Sequence, residues 1–156
     1  MAVFKEITCS QELGQILDES CQRQIVLFKH STTCPTSSRA WREVQNFIKE
    51  SSDEVLVGMI KVIESRPVSS QVTEELGLKH QSPQVLIVRE RQVMWHASHQ
   101  EVTQAKIMKA LEGERLPINL IDCKHLENTL IKRKRVTLLH PSLWIGGVFP
   151  VKIRLD

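Results

Sequence analysis

Tyrosine is absent from the 156 residues, and three Trp and four Phe are the only aromatic residues. A core drawn from this composition is mostly Val, Ile and Leu, which suits a strand-rich or α/β interior. Long apolar runs are also missing. None reaches the roughly 18 residues that a membrane span needs, and the start of the chain carries Lys5 and Glu6 where a signal-peptide core would lie. The expectation is a soluble, cytosolic protein without a transmembrane segment. Cysteine is sparse: Cys9, Cys21, Cys34 and Cys123 form no Cys-x-x-Cys pair and no regular framework, which argues against a disulfide scaffold or a zinc site. An excess of one charge is lacking as well. Residues 1–113 hold 13 basic and 14 acidic residues, and the net charge of +3 arises entirely in residues 114–156. The main domain therefore has no broad electrostatic footprint for nucleic acid.

With 41% hydrophobic and 25% charged residues, the chain has the composition of one globular domain with an extension. Residues 8–11, Thr-Cys-Ser-Gln, have the form of a capping box, and Leu13, Ile16 and Leu17 follow at helical spacing. Residues 24–29 then form a short β-branched and apolar run, the pattern of a strand buried on both faces. A polar stretch from His30 leads to Cys34-Pro35, and Ala40, Val44, Phe47 and Ile48 predict a helix opening at that proline. A second buried strand is expected over residues 55–63 and a second crossover helix over 68–76, closed by Gly77. This βαβα order implies parallel strands. Two strand-like runs, 84–89 and 92–97, are joined only by Glu90-Arg91, so they must form an antiparallel hairpin, although the pair lacks the Asn-Gly or Asp-Gly that such turns favour. Residues 98–101, Ser-His-Gln-Glu, read as a second capping box before a last helix on Val102, Ala105, Ile107, Met108 and Leu111.

Cys34 carries the chemistry. At a helix entrance, unpaired backbone N–H groups favour a thiolate over a thiol, and Lys29 and His30 upstream would add positive potential if they face the same way. Thiolates in such settings react by thiol-disulfide exchange. Cys34 with Arg39 also invites a phosphatase or arsenate-reductase reading, but the phosphatase loop needs five intervening residues and here there are four. His96 and His99 straddle a strand end and a helix cap without an obvious third metal ligand, so packing or capping is the preferred reading and no metal site is assigned.

The βαβα then ββα order, Cys-Pro at the first helix entrance and Ser82-Pro83 before the hairpin resemble the thioredoxin superfamily. That implies an α/β fold with a mixed central β-sheet flanked by helices. The usual Cys-x-x-Cys site is here Cys34-Pro35-Thr36-Ser37. The strings spanning residues 28–37, 82–84 and 95–99 look like the YtxJ-type bacillithiol-system proteins, the monothiol bacilliredoxins, over about residues 1–113. The resemblance implies that Cys34 attacks a protein-bacillithiol mixed disulfide, releases the protein thiol and keeps bacillithiol on its own sulfur. It further implies that Thr33 and Pro35 shape the turn, that Ser37 occupies the resolving position and supports the thiolate, and that Ser82 and Pro83 present backbone to the substrate. Its partners would be S-bacillithiolated proteins, bacillithiol as co-substrate and a regenerating thiol or reductase, with no bound cofactor. A non-catalytic thioredoxin-like binding module and a monothiol iron-sulfur protein using Cys34 as ligand are the alternatives.

Residues 114–156 lie outside the resemblance. They join a basic run, Lys132 to Arg135, to a broken apolar one holding Trp144 and Phe149. An anionic-surface or partner contact is one reading and an extension without a task is the preferred one. Cys9 and Cys21 read as structural, with a resolving role as the lesser alternative, and Cys123 would resolve Cys34 only if the extension folds back.

Overall fold

The structure is a computed structural model that describes residues 1–113. Its elements are β1 (Val3–Glu6), α1 (Ser10–Glu19), β2 (Ile25–His30), α2 (Pro35–Glu50), β3 (Leu56–Lys61), α3 (Arg66–Leu76), β4 (Gln84–Arg89), β5 (Gln92–Ser98), a 3-10 turn (His99–Glu101) and α4 (Gln104–Gly113). All six residues of β2 are buried, as its unbroken apolar run requires of a strand covered on both faces. β2 lies at the centre of a five-stranded sheet ordered β1-β3-β2-β4-β5. It runs parallel to β3, with Phe28 opposite Met59, and antiparallel to β4, with Phe28 opposite Val85. The sheet is thus mixed, as expected.

Alternation along the strands divides the core into two layers. Val26, Phe28, Val57, Val85 and Ile87 pack with Ala40, Val44 and Phe47 of α2 and with Ile107 and Leu111 of α4. Ile25, Leu27, Leu56, Ile60 and Leu86 pack with Leu13, Ile16 and Leu17 of α1 and with Val68 and Val72 of α3. Gly58 in β3 lets the second layer close, because a Cβ there would meet Ile7 Cδ1 at 2.7 Å and Leu27 Cδ2 at 3.0 Å.

Four local features depart from the sequence reading. β1 was not expected; all four of its residues are exposed, so it carries no burial pattern, yet it pairs with β3 from Val3 opposite Leu56 to Glu6 opposite Met59. The cap of α1 sits one residue later than the Thr8–Gln11 box. Cys9 is the N-cap and Glu12 the reciprocal acceptor, bonded by Thr8 N–H at 2.7 Å and Cys9 N–H at 3.3 Å. At the other end of the domain, α4 begins at Gln104, and residues 99–101 form the 3-10 turn instead of its first turn. Thr103 caps it, accepting from Lys106 N–H at 3.4 Å. The hairpin turn takes left-handed backbone at both Glu90 (φ 50°) and Arg91 (φ 58°), the geometry of a type I′ turn without its favoured residues. Tertiary bonds hold it: Glu90 N–H donates to Ser20 O at 2.9 Å and Arg91 N–H to Ser20 Oγ at 2.8 Å. Arg91 also pairs with Asp18 and Glu75.

Candidate functional site: the thiol at the entrance of α2

The parallel β2–α2–β3 crossover sends the chain out of the sheet at the C-terminal end of β2 and brings it back at the head of α2. Cys34 occupies that head. It is the N-cap residue, in extended conformation (φ −100°, ψ 121°), with Pro35 beginning the helix. Its residue is half-buried, flanked by exposed Thr33 and Pro35, while Thr36 is half-buried. The Cys34 N–H donates to Ser31 O at 3.4 Å, and its carbonyl accepts from Ser38 N–H at 3.0 Å and Ser38 Oγ at 3.3 Å. No acidic side chain stands in the first turn of α2.

Ser37, three residues into this segment, is fully buried. Its Oγ lies 2.8 Å from His30 Nδ1 and accepts from Ser31 N–H at 2.9 Å. The serine thus fastens the turn to the strand end. With a bare His30 Nδ1, the one hydroxyl proton of Ser37 goes to the imidazole; a protonated Nδ1 would donate instead and free that proton. His30 is held against Phe28, with ring centroids 5.5 Å apart, and against Trp41, at 6.2 Å. Burial pushes its pKa below the ordinary imidazole value, partly opposed by the charge of Glu64. Glu64 in turn accepts from Thr32 Oγ1 at 2.9 Å, which ties the loop before Cys34 to the approach of α3. Its own backbone N–H and the Thr32 hydroxyl hold its carboxyl below the usual carboxylate range.

Lys29 does not face the thiol, contrary to the expectation from sequence. Strand alternation forbids Lys29 and His30 from facing the same way, and the lysine extends to the α3 side, where Nζ donates to Thr73 Oγ1 at 3.1 Å. It does not support the thiolate. Ser82-Pro83 forms a cis peptide. Since Gln84 pairs with Lys29, antiparallel register places Pro83 level with His30, at the end of β2 from which the Cys34 turn leaves. The carbonyl of Pro83 accepts from His99 N–H at 2.9 Å, and Ser82 Oγ is buried without a hydrogen-bond partner among the described residues.

The other cysteines separate by position. Cys21 precedes β2 and Cys34 follows it, so the six-residue strand, about 20 Å long, lies between them. Cys9 caps α1 and is exposed. Arg39 donates to Gln100 O at 3.5 Å, and His96 pairs with Leu86 in β5 while His99 opens the 3-10 turn. Cys123, the basic run from Lys132, Trp144 and Phe149 lie outside the described residues. Trp41, whose ring stacks on Phe28 at 5.8 Å, and Glu64 were not anticipated. Trp41 lay just off the apolar stripe of α2, and nothing local in the sequence marks Glu64 as a neighbour of Thr32.

The arrangement has solved counterparts. A structure described as having a thioredoxin fold matches 70% of this chain and 94% of its own, with a TM-score of 0.63 and 22% identity. The thioredoxin of Fasciola hepatica matches 71% of this chain and 99% of its own, with a TM-score of 0.59 and 14% identity. A chloroplastic thioredoxin z gives 72%, 94%, 0.56 and 17% in the same order. At such identities the likeness is one of fold, and the fold is that of thioredoxin. The family model described as monothiol bacilliredoxin BrxC matches residues 5–107, and the chain belongs to that family of thioredoxin-fold thiol oxidoreductases.

Proposed function

We propose that this protein removes bacillithiol from protein mixed disulfides through Cys34. The observation that carries the reading is one half-buried thiol at the N-cap of α2, in a Cys-Pro-Thr-Ser turn whose fourth residue is a buried serine bonded to His30. The thiolate of Cys34 attacks the bacillithiol sulfur of the mixed disulfide. The old S–S bond breaks, the protein sulfur leaves as thiolate and takes a proton from water, and a Cys34–bacillithiol disulfide remains. Ser37 has no sulfur with which to resolve it. A second thiol, bacillithiol itself or the thiol of a reductase, attacks the bacillithiol sulfur on Cys34, forming a new disulfide and returning the Cys34 thiolate. Two electrons thus pass from the added thiols to the substrate disulfide.

The domain's own residues supply position. Cys34 sits at the α2 N-terminus, Ser37 and Ser31 fix the turn, and Ser82, held by the cis bond to Pro83 level with the end of β2, offers its backbone to an extended substrate. No resident cofactor is needed in this reading. The test is a model protein carrying one bacillithiol mixed disulfide, incubated with excess bacillithiol and catalytic amounts of this protein. Release of the protein thiol should be accelerated by wild type and not by Cys34→Ala. Equal rates with both proteins would favour a binding module in which Cys34 is merely accessible.

A further inference from the structure

We propose that the cleft between α3 and the loop leading into β4 is an oxyanion site, taking a carboxylate or phosphate group against Arg66, His80 and the hydroxyls of α3, with the charge of Lys29 behind them. The cleft measures about 530 Å³ and is lined by Arg66, Ser69, Ser70, Thr73, Glu74 and His80. It lies on the sheet face opposite to the one that carries His30 and α2.

Lys29 stands behind this lining, bonded to two of its members. The residue has no exposed surface, and Nζ donates to Thr73 Oγ1 at 3.1 Å and lies 3.4 Å from His80 Nδ1. Ser69 Oγ is 3.3 Å from the same Nδ1. A lysine ammonium only donates, so Nδ1 must accept and the imidazole proton resides on Nε2. The buried positive charge therefore rests on neutral acceptors alone. Among the described residues no carboxylate comes within ion-pairing distance of it. An ammonium removed from water without a counter-ion is costly, and the cluster carries that cost visibly. Burial pushes the Lys29 amine down to about 8. Burial, then the charges of Lys29 and Arg66, push His80 below its ordinary value.

An oxyanion in the cleft would supply the missing charge. Arg66, exposed at the start of α3, adds a second cation at the rim, and Ser70 adds a hydroxyl donor. Glu74 is the one carboxylate on the lining, so a ligand must outcompete its field. The shared chemistry is a compact group with two or three acceptor oxygens, from free phosphate or from a small dicarboxylate.

The test is an amide-resolved NMR titration of the full chain at pH 7 and fixed ionic strength, with inorganic phosphate in one arm and malonate in the other. Saturable shifts centred on Ser69, Thr73 and His80 are expected, and the arm with the tighter affinity identifies the source. Lys29→Met should abolish the binding, and Arg66→Ala should weaken it about tenfold, the loss of one charge-assisted contact. Malonate, a dianion throughout, should bind more weakly at pH 9 than at pH 7 as Lys29 loses its proton. The charged or titratable groups around Lys29 are His80, Arg66 and Glu74, and none of them changes charge in that range; Thr73, Ser69 and Gln84 are neutral. Absence of saturation in both arms would overturn the proposal. So would unchanged affinity in Arg66→Ala, which decides the matter if Lys29→Met does not fold.

Discussion

His30 Nδ1 and Ser37 Oγ stand 2.8 Å apart, joining the last residue of β2 to the first turn of α2 across the loop that holds Cys34. The same oxygen accepts from Ser31 N–H, so one hydroxyl brackets both ends of that loop. Ser37→Ala leaves a buried imidazole nitrogen and the Ser31 N–H without this partner. It should destabilise the domain by about 1–3 kcal/mol and slow exchange at Cys34 while leaving the sulfur in place. Urea denaturation and the rate of adduct formation measure the two effects. Wild-type stability with an unchanged rate would remove Ser37 from the site.

Two cysteines in this domain cap helices, and their neighbours set them apart. Cys34 has no carboxylate in the first turn of α2, whereas the start of α1 beside Cys9 is occupied by Glu12, whose carboxyl is held below its usual range by Thr8 N–H first and by the Thr8 hydroxyl next. An anion already seated at a helix start disfavours a second. Alkylation at pH 6.5 should therefore mark Cys34 ahead of Cys9, and Glu12→Gln should speed Cys9 without altering Cys34. Peptide mapping after brief iodoacetamide treatment distinguishes these, and preferential labelling of Cys9 in wild type would refute the assignment.

The hairpin turn depends on a residue far from it in sequence. Ser20 is buried, donates from Oγ to Leu17 O at 2.5 Å and receives the Arg91 N–H on the same oxygen. Ser20→Ala should cost about 1–3 kcal/mol, because a turn of two left-handed, non-glycine residues loses a bond that fixes it. Glycine at position 90 should recover part of this loss, since it takes that backbone freely. Thermal denaturation of the single and double variants checks both statements.

Lys29 gives stability a pH dependence of known sign. Its folded-state value, about 8, lies below the ordinary 10.5, so between these values the unfolded chain binds more protons and stability rises with pH. The slope reaches at most about 1.4 kcal/mol per pH unit. Below pH 8 the penalty is present in full. Lys29→Met should remove this component, and the difference between the two proteins in anion-free buffer should shrink as pH rises from 8 toward 10. A difference that does not change with pH would mean that Lys29 is not strained by its burial.

The parts of this fold legible in the sequence were those that burial writes into it. β2, β3 and β4 are apolar runs because both faces are covered, and the stripes of α1, α2 and α4 record which side meets the sheet. β1 was invisible, since all four of its residues are exposed and leave no burial pattern, although Phe4 meets Trp41 and Glu6 pairs with Lys61. Glu90-Arg91 revealed a hairpin by its brevity, but its left-handed turn is imposed by Ser20, Asp18 and Glu75, which no local pattern announces. At the site, the Cys-Pro entrance and the serine three residues on marked the turn. The bond from Ser37 to His30 and the departure of Lys29 to the opposite face needed the strand register, because alternation decides faces only once the strand's residues are fixed.

Intact-mass analysis after incubation with bacillithiol disulfide addresses the assignment of Cys34 with the fewest intervening steps. Wild type should gain one bacillithiol, lose it on treatment with excess bacillithiol, and show the modification on the peptide containing Cys34; Cys34→Ala should gain none. The same adduct on both proteins, or on neither, would show that Cys34 is not the reacting thiol.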